Sequence, residues 1–175
     1  MSEAYTTMKI RMENKDAAKV AATIIEEMLR SNDQDETSRF ETFLSKIKFE
    51  NNTVDVENSC SLFAEDVAEK FPEAIKEIAK NETVDSFEAE VNWLSCNCGA
   101  ELWINAMYNN GSLTIEMVDG EEFEGCCPEC GEVIVNFEDY DPNKKYYCDD
   151  CETELTEEEL FPYGLPQRTV ETFEL

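Results

Sequence analysis

The stretch from Phe123 to Glu154 reads FEGCCPECGEVIVNFEDYDPNKKYYCDDCETE, and its cysteines decide how this part of the chain is held together. Cys127-Pro-Glu-Cys130-Gly131 followed by Cys148-Asp-Asp-Cys151 is a C-x2-C-x17-C-x2-C pattern. Two thiolates on one tight turn point at a single spot, and two such turns close a tetrahedron around one Zn²⁺ ion. Cys127, Cys130, Cys148 and Cys151 are therefore the expected metal ligands. Gly131 stands just after a second ligand, where such a turn often needs the positive φ that glycine adopts freely. Val133 to Phe137 and Lys145 to Tyr147 read as two short strands joined through Asp141-Pro142-Asn143.

The competing reading of the four cysteines is a pair of disulfides. Met1 is followed by Ser-Glu-Ala-Tyr with neither a basic nor an apolar leader segment, so the expected compartment is the reducing cytoplasm. A disulfide within C-x2-C also closes a very small ring, which is poor geometry for a structural bridge. Metal is the reading taken. Over residues 123–155 the pattern resembles the four-cysteine zinc-ribbon superfamily, which implies a small structural zinc site. Rubredoxin-like proteins hold one iron in the same four-thiolate geometry, so iron stays open beside zinc; the surrounding tyrosines and carboxylates add no redox feature, and zinc leads.

Charge is the second large fact. The 175 residues carry 14 Lys+Arg against 41 Asp+Glu, a formal net of −27. Four thiolates remove four more charges and one Zn²⁺ restores two, giving −29 for the loaded protein. The excess is unevenly placed: residues 1–80 hold 17 acidic and 11 basic side chains, a net of −6, whereas residues 81–175 hold 24 acidic and 3 basic, a net of −21. Nucleic-acid binders present a basic face, so direct nucleic-acid binding, the usual task of many such metal modules, is not expected. No apolar run reaches the 18 residues or so of a membrane span. With 42% apolar residues the chain is rich enough to bury a core.

Upstream, Met8, Ile10 and Met12 alternate with polar residues as in a half-buried strand. A helix follows, capped by Asn14 or Asp16, with Ala17, Val20, Ala21, Ile24, Ile25, Met28 and Leu29 on its stripe until Ser31. Phe40, Phe43, Leu44 and Ile47 form either one helical turn or an extended lead-in to a hairpin, Ile47 to Glu57, turning at Asn51-Asn52. A second helical region covers Ser61 to Lys80, with Leu62 and Phe63 at its start, and Pro72 is expected to interrupt it and to open a second short helix. Three alternating runs then follow from Phe87, Leu102 and Leu113, with a hairpin turn at Asn109-Asn110-Gly111. This order resembles the β-α-β-β-α-β pattern of ferredoxin-like folds. The expected class is α+β: a ferredoxin-like α/β sandwich with an antiparallel sheet over residues 1–121, a zinc ribbon over 122–155 and a C-terminal tail over 156–175, the tail being either a docking segment or a loosely packed terminus.

Four cysteines remain. Cys96 and Cys98, followed by Gly99, either form a second metal site with Cys60 or Cys126, or partner Cys127 and Cys130, or are small thiols at a strand turn. Cys60 otherwise reads as an ordinary apolar residue, and Cys126 as a bystander. Catalysis lacks its supports: the chain has no His, a four-thiolate zinc keeps no open position for water, and neither a P-loop nor G-x-G-x-x-G occurs. Asp149-Asp150 and Glu157-Glu158-Glu159 read as solvated surface. Trp93 and Trp103 read as core residues covering the metal end of the sheet, and Tyr140, Tyr146 and Tyr147 as metal-module packing or an interface for a basic partner.

The expected function is that of a non-enzymatic, acidic, zinc-binding protein that engages a basic protein surface, as a nucleic-acid mimic, inhibitor or regulator of a nucleic-acid-processing complex. The alternatives are an accessory subunit that reaches nucleic acid through a larger assembly, and a rubredoxin-like metal-thiolate redox protein.

Overall fold

The computed structural model describes residues 4–31, 47–58, 64–95, 100–121 and 123–175. Strand β1, Ala4–Met12, alternates buried and exposed residues along its whole length, with Met8, Ile10 and Met12 inward as expected. Helix α1, Lys15–Ser31, begins after Asn14, whose side-chain oxygen accepts from the backbone N–H groups of Asp16 and Ala17, both at 2.9 Å. That satisfies two of the donors a helix start leaves open. Strands β2, Ile47–Glu50, and β3, Thr53–Asn58, form the expected hairpin, with Asn51 at φ 55° in its turn. Helix α2 spans Ala64–Ala79, and β4, Ser86–Ser95, follows it. Strands β5, Glu101–Asn109, and β6, Ser112–Gly120, turn through Asn110 and Gly111, both at positive φ, which matches the right-handed twist of the flanking strands.

These strands join a seven-stranded sheet in the order β11-β6-β5-β4-β1-β3-β2, and every pairing is antiparallel. The class is α+β. Register carries one apolar face across the sheet: Ile10 pairs with Val54 and Ala89, Met8 with Val56 and Val91, and Val91 in turn with Ile104. Paired residues share a face because side chains alternate along each strand. Helices α1 and α2 cover that face, with Ala18, Ala21 and Ile25 of α1 and Phe71, Ile75 and Ile78 of α2 fully or almost fully buried. Each large aliphatic side chain buried there contributes about 1.5–3 kcal/mol by leaving water.

Three expectations change. Helix α2 runs straight through Pro72 instead of ending there. A proline inside a helix costs about 3 kcal/mol or more, yet the buried stripe continues on both sides of it, Val67 and Phe71 before and Ala74, Ile75 and Ile78 after. Breaking the helix would remove one half of that stripe from the sheet. Residues expected in a C-terminal tail instead form β11, Gln167–Glu174, which pairs with β6 from Gln167↔Asp119 to Glu174↔Ser112. Lys76 of α2 lies 4.1 Å from the centre of the Phe173 ring and 3.9 Å from Glu171, tying β11 to the helical layer. Finally, Trp93 is buried in the helix-covered core, but Trp103 points to the other face, because its β5 neighbours Leu102 and Ile104 take the core positions.

Phe40, Phe43, Leu44, Cys60, Leu62, Phe63, Cys96, Cys98 and Gly99 lie outside the described residues, and with them the expected second metal site and the start of the second helical region. Among the described residues no helix is long and apolar enough to cross a membrane.

Candidate metal centre

Two small β-hairpins carry the four cysteines. Strands β7, Glu124–Cys126, and β8, Val133–Asn136, flank the turn holding Cys127 and Cys130. Strands β9, Tyr146–Cys148, and β10, Thr153–Leu155, flank the turn that leads from Cys148 to Cys151. The two strands expected to be joined through Asp141-Pro142-Asn143 therefore do not pair with each other. Each takes its own short partner, because each C-x2-C turn needs two strand ends to hold it. A 3-10 turn, Phe137–Asp139, begins the connection between the hairpins.

The first turn is closed by backbone bonds, Gly131 N–H to the Cys127 carbonyl at 2.8 Å and Cys127 N–H to the Glu132 carbonyl at 2.8 Å. Gly131 sits at φ 77°, the left-handed conformation its position suggests. The matching position after the second turn is Glu152 at φ 52°, where a Cβ makes the same conformation less favourable.

Sγ atoms of Cys127 and Cys151 lie 3.8 Å apart and those of Cys130 and Cys148 3.6 Å apart. All four lie within 4.8 Å of one another, and none of them is in a disulfide. Zinc–sulfur bonds of about 2.3 Å directed to the corners of a tetrahedron put neighbouring sulfurs about 3.8 Å apart. The four cysteines thus fit a single tetrahedral metal ion. Cys127 and Cys148 are buried, Cys151 is partly buried and Cys130 is exposed. Cys126 stands outside the group, with its thiol 3.6 Å from the Glu124 carbonyl.

Thiol acidity shows why this cluster wants a cation. The backbone N–H of Cys130, and then that of Glu129, draws the Cys127 thiol down to about 7 despite its burial. The Cys151 backbone N–H also acts to lower Cys148, but burial and the neighbouring Cys130, Cys127 and Glu132 side chains outweigh it and leave that thiol at about 11. Hydrogen bonding to Cys130, followed by burial, pushes Cys151 further upward. The Cys127 thiolate is therefore readily formed, whereas burial and neighbouring side chains favour the protonated form of Cys148 and Cys151. A divalent cation reverses that preference, and binding it releases protons.

An aromatic shell supports the hairpins. Tyr140 stacks on Tyr146 at 5.4 Å between ring centres and meets Phe161 edge-on at 5.4 Å. Its hydroxyl donates to Glu157 at 2.8 Å, and burial, then Glu157, pushes that phenol up to about 12. Tyr146 Oη accepts from the Asp141 N–H at 2.8 Å. Tyr140 and Tyr146 are thus packing residues, whereas Tyr147 is exposed. The short helix α3, Glu157–Leu160, is opened by a capping box in which Thr156 accepts from the Glu159 N–H at 3.4 Å and Glu159 accepts from the Thr156 N–H at 2.9 Å. This start places Leu160 and Phe161 in the small core. Phe161 lies so close to Gly125 that a Cβ there would come within 2.9 Å of its ring. Leu160 and Phe161 fall in the expected tail yet belong to this core, and Thr156-Glu-Glu-Glu159 is the capping-box signature that marks the helix start before them.

Asp149, Asp150, Glu157, Glu158 and Glu159 are exposed, as expected for solvated carboxylates. A four-thiolate zinc ion here would be coordinatively closed and would keep no position for a water molecule. No family model, no curated protein and no solved structure matches this chain.

Proposed function

We propose that this chain is a non-enzymatic, acidic zinc protein that engages a basic protein surface, in the manner of a nucleic-acid mimic that regulates a nucleic-acid-processing complex. We read β1–β4 with α1 and α2 as a ferredoxin-like unit, on the strand order β4-β1-β3-β2 and the helices on one face. Residues 123–155 we read as a zinc ribbon, on the two hairpins and the sulfur spacing. The observation that carries the functional reading is charge placement: a net of −21 over residues 81–175, the part of the chain that holds the metal hairpins. So large a like-charge excess is self-repulsive, and a cationic partner offsets it.

Zinc in this account holds the hairpins in place and takes no part in chemistry. The test has two parts. Protein purified under reducing conditions is expected to carry one zinc per chain by elemental analysis; iron with a visible absorption band would favour the metal-thiolate redox reading. A basic DNA-binding protein such as a histone is then titrated with the chain at increasing salt. A saturable complex that weakens as the Debye length falls to about 8 Å, and that duplex DNA displaces, is the expected result. A direct, salt-sensitive complex between the chain and DNA would overturn the proposal.

A further inference from the structure

Among the described residues, the face of the sheet away from the helices is open except at one end, where the chain beyond β6 folds over it. There Trp103 of β5 and Val118 of β6 are paired in register on the open side, yet Val118 is only 1% exposed. Phe123 covers this corner, its ring 4.4 Å from that of Trp103 at 35°, and Phe137 meets Phe123 edge-on at 5.9 Å. Between these rings and the first cysteine hairpin lies a cleft of about 590 Å³, a size usual for ligand sites. Its wall carries the carboxylates of Glu101, Glu121, Glu124, Glu138 and Asp139, and among the described residues no lysine or arginine lines it.

We propose that this cleft is the docking pocket for an arginine side chain of the basic partner, with the aromatic floor taking the guanidinium plane and the rim carboxylates its N–H groups. The inference rests on the reading of the chain as a binder of basic surfaces, and it locates that binding. Charge complementarity selects a cation, and the aromatic floor selects a planar one: guanidinium stacks on rings and bonds carboxylates through its fork, whereas an ammonium is a strongly hydrated point charge.

The chain itself supplies a second, independent indication. Arg168 of β11 pairs with Glu116 at 3.0 Å and with Glu138 at 3.3 Å while lying 5.5 Å from the centre of the Phe137 ring. Phe137 and Glu138 both line the cleft, so the protein's own guanidinium already uses one margin of it. Farther along the rim, Glu101 has no guanidinium partner among the described residues. Burial holds its carboxyl above the usual range, against a hydrogen bond from Trp103 that acts to lower it, and the nearby Glu124 charge adds to the rise. A second guanidinium there would offset both the desolvation of the Glu101 carboxylate and its repulsion from Glu124.

The test uses the full chain and two synthetic peptides of equal length and charge, one of alternating arginine and glycine, the other of alternating lysine and glycine. Binding is followed by tryptophan emission and calorimetry at low salt. The arginine peptide is expected to bind more tightly than the lysine peptide and to change the emission of Trp103. Glu101→Gln with Glu124→Gln is expected to weaken the arginine peptide about tenfold. The same charge removed from the solvent side of α2, Glu69→Gln with Glu73→Gln, should shift it less than about twofold. Metal content and melting temperature of both variants should match the parent, which separates binding from folding. Equal losses in the two variants, or equal affinity for the two peptides, would overturn the pocket while leaving the basic-surface reading intact. Failure of the parent chain to bind the histone probe as well as either peptide would overturn both.

Discussion

The helix-backed sheet and the two cysteine hairpins solve the same problem by different means. In the sheet, a face running from β3 to β6 is covered by two amphipathic helices, and its buried cluster extends from Ala4 to Ile115. The buried hydrophobic cluster around the hairpins holds Cys127, Val135, Tyr146, Cys148, Leu155, Leu160 and Phe161, and two of these belong to the cysteine group that could hold a metal ion. Ordering a residue's backbone costs about 1–2 kcal/mol, which the large apolar face can offset and the small one cannot. In small modules of this kind metal-binding free energy is folding free energy. Stability in the first region is thus spread over many side chains, and in the second it is concentrated on four sulfurs.

The sharpest way to break this comparison is to remove one ligand. Cys127→Ser or Cys148→Ser should release the metal and unfold residues 123–155, with a loss on the order of the 10 kcal/mol or more measured for structural zinc in small modules. Amide resonances of β1, β4 and β5 should keep their dispersion. Collapse of those resonances as well would show that the two regions share their stability.

A core truncation tests the opposite region. Ile104→Ala, at a residue with no exposed surface, should lower global stability by about 2–5 kcal/mol in chemical denaturation. Zinc content measured on the folded variant should be unchanged. A smaller effect is expected where the hairpins meet α3: Gly125→Ala drives a methyl group to 2.9 Å from the Phe161 ring. Overpacking of this kind costs about 1–3 kcal/mol, and it should appear as faster metal loss to a chelator with the melting of the sheet preserved. Smallest of all are the two turn positions at positive φ. Gly131→Ala should cost about 1 kcal/mol, and Glu152→Gly should gain a fraction of that, since only the first change puts a Cβ into the left-handed region. Chelator competition on the two variants reads the difference, and equal signs would show that the turns are not equivalent.

Much of the architecture is legible in local pattern. Alternation in β1, β4 and β5 names the buried face residue by residue, and Asn110-Gly111 marks its hairpin, because side-chain period and turn conformation are properties of neighbouring residues. The outward turn of Trp103 follows from the same alternation once Leu102, Ile104 and Ala106 are recognised as the core set of β5. Spacing alone picks out the four cysteines that the fold brings together, since two C-x2-C turns have few other geometries to adopt.

Other features depend on surfaces that come together only in the folded chain. Pro72 stays inside α2 because the sheet accepts apolar residues on both sides of it, and helix propensity within the segment carries no record of that sheet. β8 and β9 part company because each knuckle closes on its own hairpin, although their strand patterns alone suit a single one. Residues 167–174 hold only Val170 and Phe173 as apolar residues, three apart and so on opposite faces, and what makes them β11 is the free edge of β6, which is distant in sequence. The chain alone therefore determines the spacing of the four clustered cysteines, the inward faces of β1, β4 and β5 and the acidic excess, all set by short-range pattern or by composition. Only the tertiary structure decides which strands pair and where aromatic rings and carboxylates converge on one cleft, because those outcomes depend on contacts between segments that local sequence does not encode.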